Sequence, residues 1–120
     1  MTGRLTTHVL DTSRGKPAEG MLLQLWRIEE DGVYRKVCET RTNADGRLPS
    51  PLLEQDTMVS GMYELVFFAG DYFREASGGM AKPVPFLEAI PVRFVITDIH
   101  EHYHVPLLVA PGGYSTYRGS

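Results

Sequence analysis

The four histidines of this 120-residue chain are unevenly spread: His8 stands alone, whereas His100, His102 and His104 crowd into five positions. On an extended strand, residues two apart point the same way. His102 and His104 would then project from one face about 6–7 Å apart, with Tyr103, Val105 and Leu107 on the other. Two imidazoles on one surface fit three roles. They can be solvated strand residues. They can give a zinc ion two ligands, the third coming from His8 or a carboxylate. They can also move protons, because the unperturbed imidazole pKa of about 6.5 lies nearest working pH.

Arg47 follows the turn Asn43-Ala44-Asp45-Gly46, where a side chain at a sheet rim can reach a cleft. It is either an ordinary surface arginine or a fork of donors for a carbonyl, a urea-like group or an anion. The tail Tyr114-Ser115-Thr116-Tyr117-Arg118-Gly119-Ser120 is aromatic for a chain end. It reads as a plain edge strand, or as an ordered segment bringing together the Tyr117 phenol, the Arg118 guanidinium and the terminal carboxylate. Other chemistries find little support. No serine sits in a nucleophile elbow, the glycines form no phosphate-binding fingerprint, and Cys38 reads as a small core residue.

These side chains need elements to hold them, and helical periodicity is weak throughout. Short runs alternating every two residues recur between turn signals, which predicts an antiparallel β protein. Expected strands cover Arg4–Leu10, Met21–Ile28, Val33–Thr42, a brief rim segment around Arg47–Leu53, Gly61–Ala69, Val92–Thr97, His102–Val109 and Tyr114–Arg118. Asp31-Gly32 and Asn43–Gly46 supply tight turns. In Gly61–Ala69, Tyr63, Leu65 and Phe67 share one face, and Met62, Val66 and Phe68 on the other suggest burial on both sides or contact with a partner chain. One helix is expected over Asp71–Ala76, with Asp71 as N-cap and Gly78-Gly79 as its stop. Pro83, Pro85 and Pro91 predict an irregular connection. About eight strands suit two antiparallel sheets packed face to face.

Composition sets the outer limits. With 42% apolar and 22% charged residues, the chain reads as one globular domain spanning 1–120. Such a length removes roughly two-thirds of the unfolded surface from water, enough for a core without staples. One cysteine permits no intrachain disulfide and fits a reducing compartment. The formal charge of −3 and scattered basic residues argue against nucleic acid. No apolar run is long enough for a membrane helix, and Met1–Leu10 lacks the apolar block of a signal peptide, so a cytoplasmic protein is expected.

Several segments together resemble one family. They are Leu5-Thr6-Thr7-His8-Val9-Leu10-Asp11 with Gly15-Lys16-Pro17-Ala18, Thr42-Asn43-Ala44-Asp45-Gly46-Arg47, Gly70-Asp71-Tyr72-Phe73, His102-Tyr103-His104-Val105-Pro106-Leu107-Leu108, and Tyr114 to Ser120. In this order they resemble the transthyretin-like 5-hydroxyisourate hydrolases over essentially the whole length. The His-Tyr-His and terminal Tyr-Arg-Gly-Ser pieces are the specific ones, since the N-terminal pieces would be shared with hormone-binding transthyretin. The resemblance implies an all-β, transthyretin-like sandwich of two four-stranded antiparallel sheets with one short helix. It also implies a homotetramer whose active sites lie in a channel between dimers.

The implied reaction is hydrolytic ring opening of 5-hydroxyisourate, the product of urate oxidation, with no metal or organic cofactor. By position, the family's essential residues match His8, Arg47, His104 and Tyr117. His102 matches a neighbouring site histidine, and Ser120 brings the chain's carboxylate close. Ala110-Pro111-Gly112-Gly113 has glycine where relatives often carry an aromatic residue, a change that touches no matched site residue. A carrier of small aromatic ligands on the same sandwich, and a His-x-His metal site, are the alternatives.

Overall fold

The structure, a computed structural model, describes residues 3–78 and 85–119. Two-residue alternation is the main organiser. In β1 (Arg4–Asp11), Leu5, Thr7, Val9 and Asp11 are buried while Thr6, His8 and Leu10 face the other way. In β8 (Tyr103–Ala110), Tyr103, Val105, Leu107 and Val109 point inward. His104 and Leu108 are half-buried on the opposite side, as expected from the His-x-His spacing.

Two sheets result. The first runs β2 (Lys16–Pro17), β1, β8, β9 (Gly113–Thr116), and β5 (Leu53–Glu54) also pairs with β1. The second runs β4 (Tyr34–Arg41), β3 (Leu22–Ile28), β6 (Gly61–Phe68), β7 (Ala89–Ile96), all antiparallel. The expected sandwich is thus the one found, with one parallel pairing at its centre: Leu5 faces Tyr103, Thr6 faces His104, and the register holds as far as Asp11 and Val109. Between the sheets lies a core that includes Leu5, Val9, Leu23, Leu25, Tyr63, Leu65, Phe67, Ile90 and Leu107. Cys38 in β4 packs half-buried against it, and that burial pushes its thiol pKa up.

Some local expectations need correction. The rim segment is a strand only at Leu53–Glu54, so the stretch from Arg47 to Leu52 is free to wall a cavity. Helix α1 covers Ala69–Ala76 and starts two residues early, with no side-chain cap at Phe68. Asp71 therefore lies inside the first turn, where it accepts from Arg74 Nη2 at 2.6 Å. Pro91 lies within β7 opposite Val66, not in a connection. An edge strand can omit one ladder donor, which is why proline survives there. Met62 on the second face of β6 is 39% exposed, so that strand is fully covered on its inner face alone. Gly79 and Pro83 lie outside the described residues.

Candidate active site

The turn before Arg47 is built to hold one shape. Asn43 Oδ1 accepts from the amides of Asp45 (2.9 Å) and Arg47 (3.1 Å), and Asn43 N donates to Arg47 O at 2.7 Å. Gly46 has φ 73°, and a Cβ there would stand 2.3 Å from the carbonyl oxygen of Val9. Only glycine fits this close, left-handed position. Val9 N donates to Gly46 O at 2.8 Å, and His8 Nε2 lies 2.9 Å from Asp45 O. A carbonyl only accepts, so His8 carries its proton on Nε2 and ties the turn to β1.

Along β1 and β8 the parallel register sets Thr6 beside His104. Thr6 Oγ1 lies 2.8 Å from His104 Nδ1 and 3.0 Å from His102 Nε2, so one hydroxyl joins two imidazoles. The two rings are 6.4 Å apart at 68°, within the spacing expected of alternate strand residues. The chain end secures His104 from the other side: Gly119 N donates to His104 O at 2.7 Å. A Cβ at position 119 would approach His104 Cδ2 to 3.0 Å.

These groups share a cavity of about 510 Å³ lined by Arg4, Thr6, Arg47, Ser50, His102 and His104, with Leu48, Pro49 and Pro51 completing the wall. Among the described lining residues there is no carboxylate. Burial, then the positive charges of Arg47, His102 and His8, push the His104 pKa below the ordinary imidazole value. His104 is accordingly neutral at neutral pH, the form that can accept a proton. Among the described residues, no three side chains of the His, Cys, Asp and Glu types gather as a metal site.

The sequence-predicted residues are thus partly assembled. Arg47, His102 and His104 line one cavity, and His8 stands on the same face, bonded to the turn that carries Arg47. Tyr117 does not border that cavity within its own chain. It is 60% exposed and borders a second groove with Val92, Phe94, Tyr103, Val105 and Arg118. The guanidinium of Arg118 lies 4.1 Å from the Tyr103 ring centroid and donates to Glu101 at 2.7 Å, so it turns away from the imidazoles. Ser120 lies outside the described residues. Sequence reasoning missed Thr6, Arg4 and Ser50. The alternation that placed His8 also puts Thr6 on its face, but a threonine in a strand gives no chemical signal of its own.

Known proteins share this arrangement of strands. A family model described as "HIUase/Transthyretin family" matches residues 5–119. A 5-hydroxyisourate hydrolase of Halalkalibacterium halodurans is 58% identical over 120 residues, the full length of both chains. Among solved structures, (S)-allantoin synthase superposes with a TM-score of 0.89 at 47% identity, covering 99% of this chain. This chain spans 44% of that protein. Transthyretin from Sparus aurata superposes with a TM-score of 0.86 at 26% identity, covering 97% of this chain and 96% of its own. The backbone of this chain thus superposes about equally well on both proteins, whereas its sequence is nearer to the first. On the match over almost its entire length, this chain belongs to the HIUase/transthyretin family.

Proposed function

We propose that this chain is a hydrolase that opens the six-membered ring of 5-hydroxyisourate to give 2-oxo-4-hydroxy-4-carboxy-5-ureidoimidazoline, a step of urate degradation to allantoin. The name of the Halalkalibacterium halodurans relative supports the substrate. The observation that carries the chemistry is the cavity, where a neutral imidazole and the Arg47 guanidinium face one space with no carboxylate among its described lining residues. Architecture by itself decides nothing, because one sandwich can host binding or catalysis.

In this reading His104, assisted by His8, removes a proton from water as the water oxygen bonds to the ring carbonyl carbon. Arg47 holds the substrate and offsets the charge on the resulting oxyanion, each aimed donor contributing roughly 3 kcal/mol. The tetrahedral intermediate collapses by breaking the ring C–N bond. The leaving nitrogen takes back the proton held by the imidazolium. No metal or organic cofactor takes part. His102 borders the substrate, and Tyr117 orients the water or closes the pocket.

Because Tyr117 borders a different groove in its own chain, we place its contact between copies of a homotetramer. The exposed apolar side chains of the edge strands, Val95 on β7 and Tyr114 on β9, support such contacts. We also assign the protein to the cytoplasm; no helix among the described residues is long and apolar enough to cross a membrane. The deciding experiment follows freshly generated 5-hydroxyisourate spectroscopically with and without purified protein, in the presence of a chelator. Decay faster than the spontaneous reaction is expected. Unchanged decay accompanied by ligand binding would make the chain a carrier, and activity abolished by chelation would make it a metalloenzyme.

A further inference from the structure

We infer that Thr6 is a positioning residue that fixes which nitrogen of His104 carries the proton and thereby makes His104, not His102, the base. This deepens the hydrolase reading and rests on it for its kinetic consequence.

A threonine hydroxyl has one proton to donate and lone pairs to accept with. Its oxygen lies between His104 Nδ1 at 2.8 Å and His102 Nε2 at 3.0 Å. Two neutral rings cannot both present lone pairs to it, since that would demand two hydroxyl protons. If the hydroxyl donates to His104, the proton of that ring sits on Nε2 and the ring offers no base to the cavity. If it donates to His102, or accepts an N–H from each ring, Nδ1–H of His104 donates to Thr6 and the Nε2 lone pair is free.

Two features favour the second arrangement. First, the Arg47 guanidinium acts on His104 as a fixed cation, and the lining adds Arg4 with no described carboxylate. A lone pair is better placed than an N–H in a cationic surround. Second, the arrangement survives the reaction. When Nε2 takes a proton from water, Nδ1–H still donates to Thr6 and the Thr6 hydroxyl still donates to His102. No hydrogen bond has to be remade between the basic and acidic forms, so the ring keeps one orientation while it takes up and returns the proton. His102 is then the acceptor that sets the direction of the Thr6 hydroxyl, and its own Nε2 is occupied.

The test uses the full chain and two variants. Long-range proton–nitrogen NMR spectra of the substrate-free protein above the histidine pKa are expected to show His104 protonated on Nδ1. Thr6→Val keeps the shape without the hydroxyl. It should mix the His104 tautomers, lower kcat about tenfold or more with KM little changed, and displace the acid limb of the pH–rate profile. Thr6→Ser should restore the Nδ1–H tautomer and most of the rate. A wild-type His104 protonated on Nε2 would overturn the inference, as would a folded Thr6→Val with unchanged tautomer and pH profile. Should Thr6→Val fail to fold, the wild-type and Thr6→Ser spectra still decide. A wild-type chain with the expected tautomer but no hydrolysis would sink the hydrolase reading and leave the network standing.

Discussion

Strand β1 carries two polar clusters on its opposite faces, and they are built to opposite rules. On the inner face Asp11 is fully buried and saturated: Oδ1 accepts from Ser13 N at 3.0 Å, Ser13 Oγ at 2.5 Å and Arg14 N at 3.2 Å, and Oδ2 from the Tyr72 hydroxyl at 2.8 Å. Arg14 Nε adds an ion pair at 3.8 Å. Burial, then the bond and charge of Asp11, push the Tyr72 pKa up to about 12, so the phenol stays a donor. On the outer face Arg47 and Arg4 meet no carboxylate among the described lining residues, and among the described residues the His104 ring is hydrogen-bonded at Nδ1 alone. Saturated polar groups join β1 to α1 and hold architecture; unsaturated ones wait for a ligand.

That contrast can be broken by exchange of consequences. The largest effect is expected at the outer cluster, where His104→Ala or Arg47→Ala should lower turnover by at least about a hundredfold while the melting temperature stays near wild type. Near-normal rates in folded variants would remove these residues from the mechanism. Next, Asp11→Ala should destabilise the fold by about 2 kcal/mol in denaturant titrations, because it strands a buried phenol and two turn amides. Its activity per folded molecule should stay close to wild type. An activity loss without a stability loss would reverse the assignment of the two faces.

A sharper comparison comes from acidity. His104 has a depressed pKa, so the acid limb of kcat/KM should lie below the ordinary imidazole value of about 6.5. In Arg47→Met the residual activity should show that limb moved upward, since one cation opposing protonation is gone. The same sign governs folding: below pH 6.5 the unfolded chain binds the His104 proton more readily than the folded one. The contribution of this residue to stability therefore falls as pH drops towards its folded pKa. The smallest effect is expected for Tyr72→Phe, about 1 kcal/mol of stability, since Asp11 keeps its other donors.

How much of this was legible in the sequence depends on whether the signal was local. The His-x-His face, the inward set Tyr103, Val105 and Leu107, and the Asn43–Gly46 turn followed from alternation and turn chemistry that neighbouring residues encode. The start of α1 did not, because Phe68 offers no side-chain cap to announce it. Nor did the place of Pro91, which depends on β7 being an edge. Thr6 was invisible as a site residue for a related reason: its importance arises only when β8 lies beside it. Tyr117 matched a motif, yet a motif does not say which groove its side chain borders.

The parallel seam between β1 and β8 has a consequence for how the molecule comes into being. Its paired residues are separated by nearly the whole chain, Thr6 from His104 by 98 positions. Contacts of such long span form late and slowly, because a large loop must close before any of them is rewarded. On a ribosome the first strand emerges early and must wait, unpaired along one edge, until the histidine strand is made. Reactivity in this protein therefore arises only once the histidine strand is made and seated beside β1, rather than accumulating by degrees.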